Sequence, residues 1–213
     1  MESALCLPDD PDFRLIETAL WTPAQGVHNA RLHLARLART AAVFGITPLD
    51  AAQAVQAIHA DGPRRVRLTV DRAGVVTIAL HPFTPLAPDT TWSLMLCPDR
   101  LRSDDPWLRV KTTRRALYDT ARARLPDTAD ELIFLNEKDE VCEGTITNIF
   151  ADLGQGLITP PLSSGLLPGV LRHHLLDQGK ARTAILTLPD LRAARAVFVG
   201  NSLRGLIRTG GIS

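Results

Sequence analysis

The hydrophobic pattern changes period along the chain. FRLIETALW, residues 13–21, carries apolar and β-compatible side chains at both parities, which predicts an internal strand. After Gly26 the spacing turns helical over residues 27–44. Leu34, Leu37, Ala41 and Phe44 form one stripe, and Gly45 is placed to stop the helix. His33, Arg36 and Thr40 run along an adjoining line. A second helix is expected over 48–58, and RRVRLTVDRAGVVTIAL then reads as two strands joined at Ala73-Gly74.

PFTPLAPDTTW, residues 82–92, crowds three prolines together and is the one convincing linker. It divides the chain into a small N-terminal αβ domain, 1–86, and a larger C-terminal domain, 87–213. Beyond it, SLMLCP reads as a strand and the segment after Lys111 as a helix. ELIFL and EVCE are strands joined by a turn at 136–139, and NIFAD with GLITP forms a hairpin. Pro168-Gly169 opens a helix through Leu176, and AVFVGNSLRG is a strand running into a polar turn. The class is α+β (α/β).

Charge and composition narrow the partners. Hydrophobic residues make up 45% of the 213 residues and the formal net charge is +1. That balance gives no field suited to a nucleic-acid backbone or an anionic membrane, so a small-molecule substrate is expected. Cys6, Cys97 and Cys142 lie far apart without a CxxC pair, which suggests reduced thiols rather than a disulfide framework or a zinc site. The acidic start, the absence of a long apolar run and the thiols together predict a cytoplasmic protein.

Twenty-one arginines stand beside only three lysines. Where a plain positive charge serves, this chain uses arginine, which stays protonated. A desolvated lysine amine loses its proton and becomes a base or condenses with a carbonyl, which makes Lys111 a candidate for chemistry. Other groups are ambiguous singly. Arg36 is either a solvated helix arginine or a bidentate phosphate ligand. Glu143 ends either a surface hairpin or a buried strand, where its carboxylate would need a partner such as a protonated ring nitrogen. Thr145, Thr147 and Asn148 either satisfy a turn or bind a ligand. The amides of Val170 and Leu171 begin a helix and face either solvent or an anion. Asn201 and Ser202 cap a turn or meet phosphate. Tyr118 reads as core. If alternation holds, Thr18 shares an otherwise apolar strand face with Ile16 and Leu20, chosen either for packing or for its hydroxyl.

A reactive lysine, a phosphate-binding arginine, a helix start and a carboxylate for a pyridine nitrogen are the parts of a pyridoxal 5'-phosphate site. With HLARLARTA, VKTTRRALYD, LNEKDEVCEGTITNIF, GLLPGVLR and GNSLRG in that order, the chain resembles the fold-type IV, class IV aminotransferase-like enzymes. Among them it is most similar to the aminodeoxychorismate lyases, especially the lyase half fused to aminodeoxychorismate synthase component I. The resemblance runs from about Phe13 to Arg208. It implies a two-domain fold with the cofactor between the domains, Lys111 as the cofactor-bearing lysine, Arg36 and Ser202 at the phosphate, and Glu143 at the pyridine nitrogen. It also implies that Thr18 assists proton transfer in pyruvate loss, that the protein is a homodimer, and that it is functionally linked to the synthase. The implied reaction converts 4-amino-4-deoxychorismate to 4-aminobenzoate and pyruvate for folate synthesis. The alternatives are a transaminase of branched-chain or D-amino acids and a non-catalytic partner domain of the synthase. Arg67, Arg109 and Arg204 are the candidates for a substrate carboxylate.

Overall fold

The computed structural model describes residues 5–212 and divides into two compact units. The first comprises residues up to Pro85 together with Val110–Arg114; the second comprises Leu86–Arg109 and the chain from Arg115 onward. The proline-rich linker puts 110–114 in the C-terminal domain, whereas in the structure these residues belong to the first unit. The reason is backbone pairing. Leu15 and Thr112 form an antiparallel bridge, Ile16 N–H donates to the Lys111 carbonyl at 3.0 Å, and Thr113 N–H donates to the Arg14 carbonyl at 2.9 Å.

In the first unit, β1 (Leu15–Thr22), β2 (Gly26–Val27), β3 (Arg64–Val70) and β4 (Val76–Pro82) form an antiparallel sheet in the order β2-β1-β3-β4. Helix α1 (Ala30–Val43) lies against β1, and α2 (Ala51–Gln56) is shorter than its sequence pattern predicts. The pairing runs from Leu15 opposite Val70 to Trp21 opposite Arg64. It collects Leu15, Ala19, Trp21, Val66, Leu68 and Val70 as buried residues on one face. Gly45 ends α1 with φ 65°, a left-handed turn that lets the Ile46 amide bond back to the Ala41 carbonyl at 3.0 Å. The other face carries Ile16, Thr18 and Leu20 against Thr69, Arg67 and Arg65. Alternation therefore holds for Thr18, but its face is mixed rather than apolar.

The second unit contains β5 (Thr91–Leu101), α3 (Ala116–Ala123), β6 (Glu131–Asn136), β7 (Val141–Gly144), β8 (Asn148–Asp152) and β9 (Leu157–Thr159). It continues with α4 (Val170–Asp177), β10 (Ala181–Thr183), α5 (Leu188–Ala193), β11 (Ala196–Asn201) and β12 (Gly205–Ile212). The strand order is β10-β9-β8-β11-β12-β5-β6-β7, and β7 pairs back onto β8. Six strands thus close into a ring, which covers the edge that β7 would otherwise expose. Leu94, Ile133, Leu135, Ile149, Val199 and Ile207 belong to one apolar cluster; Leu132, Phe134 and Cys142 belong to another. Both parities of β6 are buried, as its uninterrupted apolar sequence requires. The strands β2, β10 and β12 carry no sequence signal strong enough to have been expected; α5 does carry one, Thr187 capping with Asp190 and a proline at the helix start, although the apolar pattern does not mark it.

Ring closure depends on the tight link between β7 and β8. Glu131, fully buried at the head of β6, accepts hydrogen bonds from the amides of Thr145 (3.1 Å) and Ile146 (3.2 Å) and from the hydroxyls of Thr147 (2.9 Å) and Thr145. A Cβ on Gly144 would run into this carboxylate and the Thr147 hydroxyl. Gly144→Ala is therefore expected to destabilise the protein by about 1–3 kcal/mol, measured by denaturant unfolding of the full chain. An unchanged midpoint would show that the link can shift to accommodate the methyl group.

Candidate functional site

Lys111 and Thr18 come together within the first unit. Because Thr112 bridges Leu15, Lys111 stands across from Ile16 on the β1 side that β3 does not occupy. Side-chain alternation then puts Lys111 on the sheet face of Ile16, Thr18 and Arg67, with Thr18 one diagonal step away. Lys111 is half-buried, whereas Lys138 and Lys180 are exposed. Of the three candidate arginines for a substrate carboxylate, Arg67 shares this face directly opposite Thr18. Arg109 is exposed, and the Arg204 guanidinium lies 5.8 Å from the centroid of the Trp92 ring.

Arg36 is not a solvated helix arginine. It is 4% exposed, and its Nε and Nη2 donate to the two oxygens of Glu17 at 2.8 and 2.5 Å. Glu17 is equally buried and also bonds His33 Nδ1 at 2.6 Å. The adjoining line of His33, Arg36 and Thr40 is therefore a buried polar seam facing β1. Burial pushes the Glu17 carboxyl upward, but the charge and hydrogen bonds of Arg36, with those of His33, outweigh it and hold the group at about 2. Glu17 was not singled out from the sequence. Its signal was an acid between apolar neighbours in an internal strand.

The second unit assembles a different set. Glu143, 5% exposed on β7, accepts the Tyr118 hydroxyl at 2.6 Å on Oε1 and the Leu167 amide at 3.1 Å on Oε2. Opposite it on β8, Asn148 donates to the Leu167 carbonyl at 3.1 Å. The two strands thus grip both ends of one peptide residue just before α4. Asn148 also presses so close to Gly169 that no side chain fits there. Gly169 consequently caps α4 without a side-chain acceptor, and the first-turn amides, Val170 and Leu171 among them, receive no cap from it. Gly200 is needed for a similar reason. A Cβ there would strike Leu171 and the Gly205 carbonyl, so the turn after β11 lies against the start of α4. That turn carries Ser202.

Two predicted residues act differently from a direct ligand in this structure. Asn201 accepts the amides of Leu203 and Arg204 at 3.1 and 3.0 Å and donates to the Ile146 carbonyl at 3.2 Å, so its side chain shapes the turn that presents Ser202. Thr147 turns its hydroxyl to Glu131. Arg172, unmarked in the sequence reading, is buried and donates to the Pro160 carbonyl at 2.8 Å, while its Nε is a buried donor without a hydrogen-bond partner. Burial lowers its pKa, and the charge of Glu143 opposes that shift. An uncapped helix start, a close glycine turn bearing a serine and a buried carboxylate fit a group with a phosphate and a protonatable ring nitrogen.

Comparison with known proteins decides the family. The model for amino-transferase class IV matches residues 14–210. The chain belongs to that family. Its enzymes depend on pyridoxal 5'-phosphate, and one structural neighbour, a Mycobacterium tuberculosis protein described as a hypothetical aminotransferase, with 19% identity and TM-score 0.78 over 94% of this chain and 81% of its own, was solved with that cofactor bound. A Mesorhizobium loti protein, provisionally described as an amino-acid aminotransferase, is 46% identical with TM-score 0.88 over 95% of this chain and all of its own. The aminodeoxychorismate lyase of Saccharomyces cerevisiae is 25% identical over 136 residues, 55% of this chain but only 36% of that enzyme. A Schizosaccharomyces pombe protein provisionally described as the same lyase is 29% identical over 156 residues, 70% of this chain and 67% of its own. Among the described residues no helix is long and apolar enough to cross a membrane.

The Glu17 cluster yields a pH prediction. A carboxyl held at about 2 in the fold and near 4.5 in the unfolded chain contributes stability that is fully present above about pH 4.5. That contribution, on the order of 3 kcal/mol, is lost as pH falls through about 2. Glu17→Gln should flatten the acid limb of the stability curve and, by leaving Arg36 without its counter-charge, lower stability near neutrality by about 3–5 kcal/mol. Denaturant midpoints across that pH range check both effects, and an acid limb identical to the parent's would exclude Glu17 as its source.

Proposed function

We propose that this chain is a pyridoxal phosphate-dependent lyase that converts 4-amino-4-deoxychorismate to 4-aminobenzoate and pyruvate. The observation that carries the reading is the sheet face shared by Lys111, Thr18 and Arg67. A transaminase needs the lysine; the threonine hydroxyl beside it suits an additional proton transfer. Bound to this chain, the cofactor supplies an electron sink for the pair released when the amine-bearing carbon loses its proton. Lys111 would carry the cofactor, and its Nζ would be the base that takes that proton. The bond from the ring to the enolpyruvyl oxygen then breaks, the oxygen leaves with the electron pair, and the ring becomes aromatic. Thr18 passes a proton toward the departing group, whose methylene carbon is protonated to give pyruvate. Arg67 holds a substrate carboxylate.

The remaining residues hold the cofactor. Glu143 keeps the pyridine nitrogen protonated. The amides of Val170 and Leu171 and the Ser202 hydroxyl would hold the phosphate, a role that the family resemblance gives to Arg36 as well. Asn201 and Thr147 act by shaping the turns around these groups. A homodimer in the cytoplasm, working with aminodeoxychorismate synthase in folate synthesis, completes the reading. One observation favours a second function: the 46%-identical Mesorhizobium loti protein is described as an amino-acid aminotransferase.

Supplying aminodeoxychorismate and, separately, amino donors with 2-oxoacids separates the two. The expected result is 4-aminobenzoate with pyruvate; brisk transamination without 4-aminobenzoate gives the second function. Borohydride trapping followed by peptide mapping should place the cofactor on Lys111, and label recovered chiefly on Lys138 or Lys180 would displace that assignment. Thr18→Val keeps the shape and removes the hydroxyl, so 4-aminobenzoate formation should drop roughly 10- to 100-fold with cofactor binding intact. Full lyase activity in that variant would reduce Thr18 to packing. Glu143→Ala should retain the cofactor and lose turnover, whereas Arg36→Ala should weaken cofactor affinity. Indistinguishable phenotypes would count against both roles.

A further inference from the structure

Tyr118 is placed by three contacts that need its ring and one that needs its hydroxyl. From α3 its ring meets Phe134 edge-on, centroids 5.4 Å apart, and lies 5.7 Å from the Arg115 guanidinium. Arg115 is itself held by Asp119 at 2.7 Å and by the Thr145 carbonyl at 3.1 Å. Met95, Leu125 and Tyr118 pack against the same apolar cluster. A phenylalanine would meet all of these demands. The hydroxyl is an additional polar atom carried into the interior, and its observed partner is Glu143 Oε1 at 2.6 Å.

With Leu167 N–H on Oε2, each oxygen of Glu143 has a donor fixed by a separate part of the second unit. Buried Arg172 adds a positive charge toward the same carboxylate. Burial, then the charge and hydrogen bond of Glu143, push the Tyr118 phenol far above its usual range, so it remains a donor at every working pH. Donors at both oxygens restrict rotation of the carboxylate.

We propose that Tyr118 is a positioning residue for Glu143, holding the carboxylate in the one orientation in which it would meet a protonated ring nitrogen. The proposal rests on the assignment of Glu143 to the pyridine nitrogen made above. It assigns a second task to a residue that reads as core from its sequence alone. Tyr118 also lies seven residues beyond Lys111, so the segment that bears the lysine continues directly into the helix that aligns the carboxylate.

The chain contains a single tyrosine, which makes a selective test possible. Growth on meta-fluorotyrosine labels Tyr118 alone and leaves the ring in place. In the cofactor-free protein, Glu143→Gln should move the fluorine resonance. In the parent, pyridoxal phosphate should move it further, and an analogue with carbon in place of the ring nitrogen should not. In turnover, Tyr118→Phe should lower kcat roughly tenfold at unchanged KM, and should cause no further loss in a Glu143→Gln background. A resonance indifferent to Glu143→Gln, an equal response to both cofactors, or losses that multiply in the double variant would each overturn the proposal. Should Tyr118→Phe fail to fold, the labelled protein still decides, because it keeps the native ring. Full turnover in Glu143→Gln removes the cofactor assignment of Glu143 and this proposal with it. Loss of turnover there, together with an unaffected Tyr118→Phe, removes the Tyr118 proposal alone.

Discussion

A carboxylate out of reach of water needs donors, and Glu131 draws them from the link that closes the second unit's ring. Its oxygens accept backbone amides and hydroxyls from Thr145, Ile146 and Thr147, with Arg122 approaching at 3.3 Å. Breaking any one would leave a buried charge less well compensated, so the link has one conformation. That conformation sets Glu143 opposite Asn148, and those two residues in turn hold Leu167 and the approach to α4. The candidate cofactor groups of this unit are therefore aligned by a residue that need not touch the cofactor.

Both units bury ionised groups where apolar side chains would pack at less cost. In the first, Glu17 is matched by Arg36 and His33; in the second, Glu143 has Tyr118, Leu167 and the charge of Arg172. Such clusters gain little over well-packed apolar residues of the same volume, but losing one partner is costly, and each donor has one acceptor that suits it, so the clusters fix geometry. Arg36 shows the consequence. A guanidinium bound along one edge to Glu17 is a fixed group rather than a mobile charge.

Much of this organisation was legible in the sequence. Periodicity located β1, α1, the β3 and β4 pair and the strands around Glu143, because each buries a regular stripe. The class IV family followed from the order of five motifs. Groups whose role depends on a distant partner were less visible. Tyr118 reads as core by composition because its ring is core; only the phenol oxygen, 25 positions from Glu143 in sequence, reveals the second task. Glu131 and Glu17 look like ordinary strand acids until the pairing register shows which face they occupy. The short strands β2 and β10 have two and three residues, too few for a period to emerge.

The pairing of residues 110–114 with β1 also constrains how the protein is made. A ribosome releases the first sheet's strands β1 to β4 well before the segment that completes the Leu15 end of β1. Until Thr112 and Thr113 emerge, the backbone around Arg14 and Ile16 lacks partners that only later synthesis supplies. By then β5 of the second unit has also been translated. A fragment cut within the proline-rich linker would therefore contain every named strand and helix of the first unit and still lack Lys111 and the backbone that pairs with Leu15, so the two halves of this chain are not interchangeable modules but stages of a single synthesis.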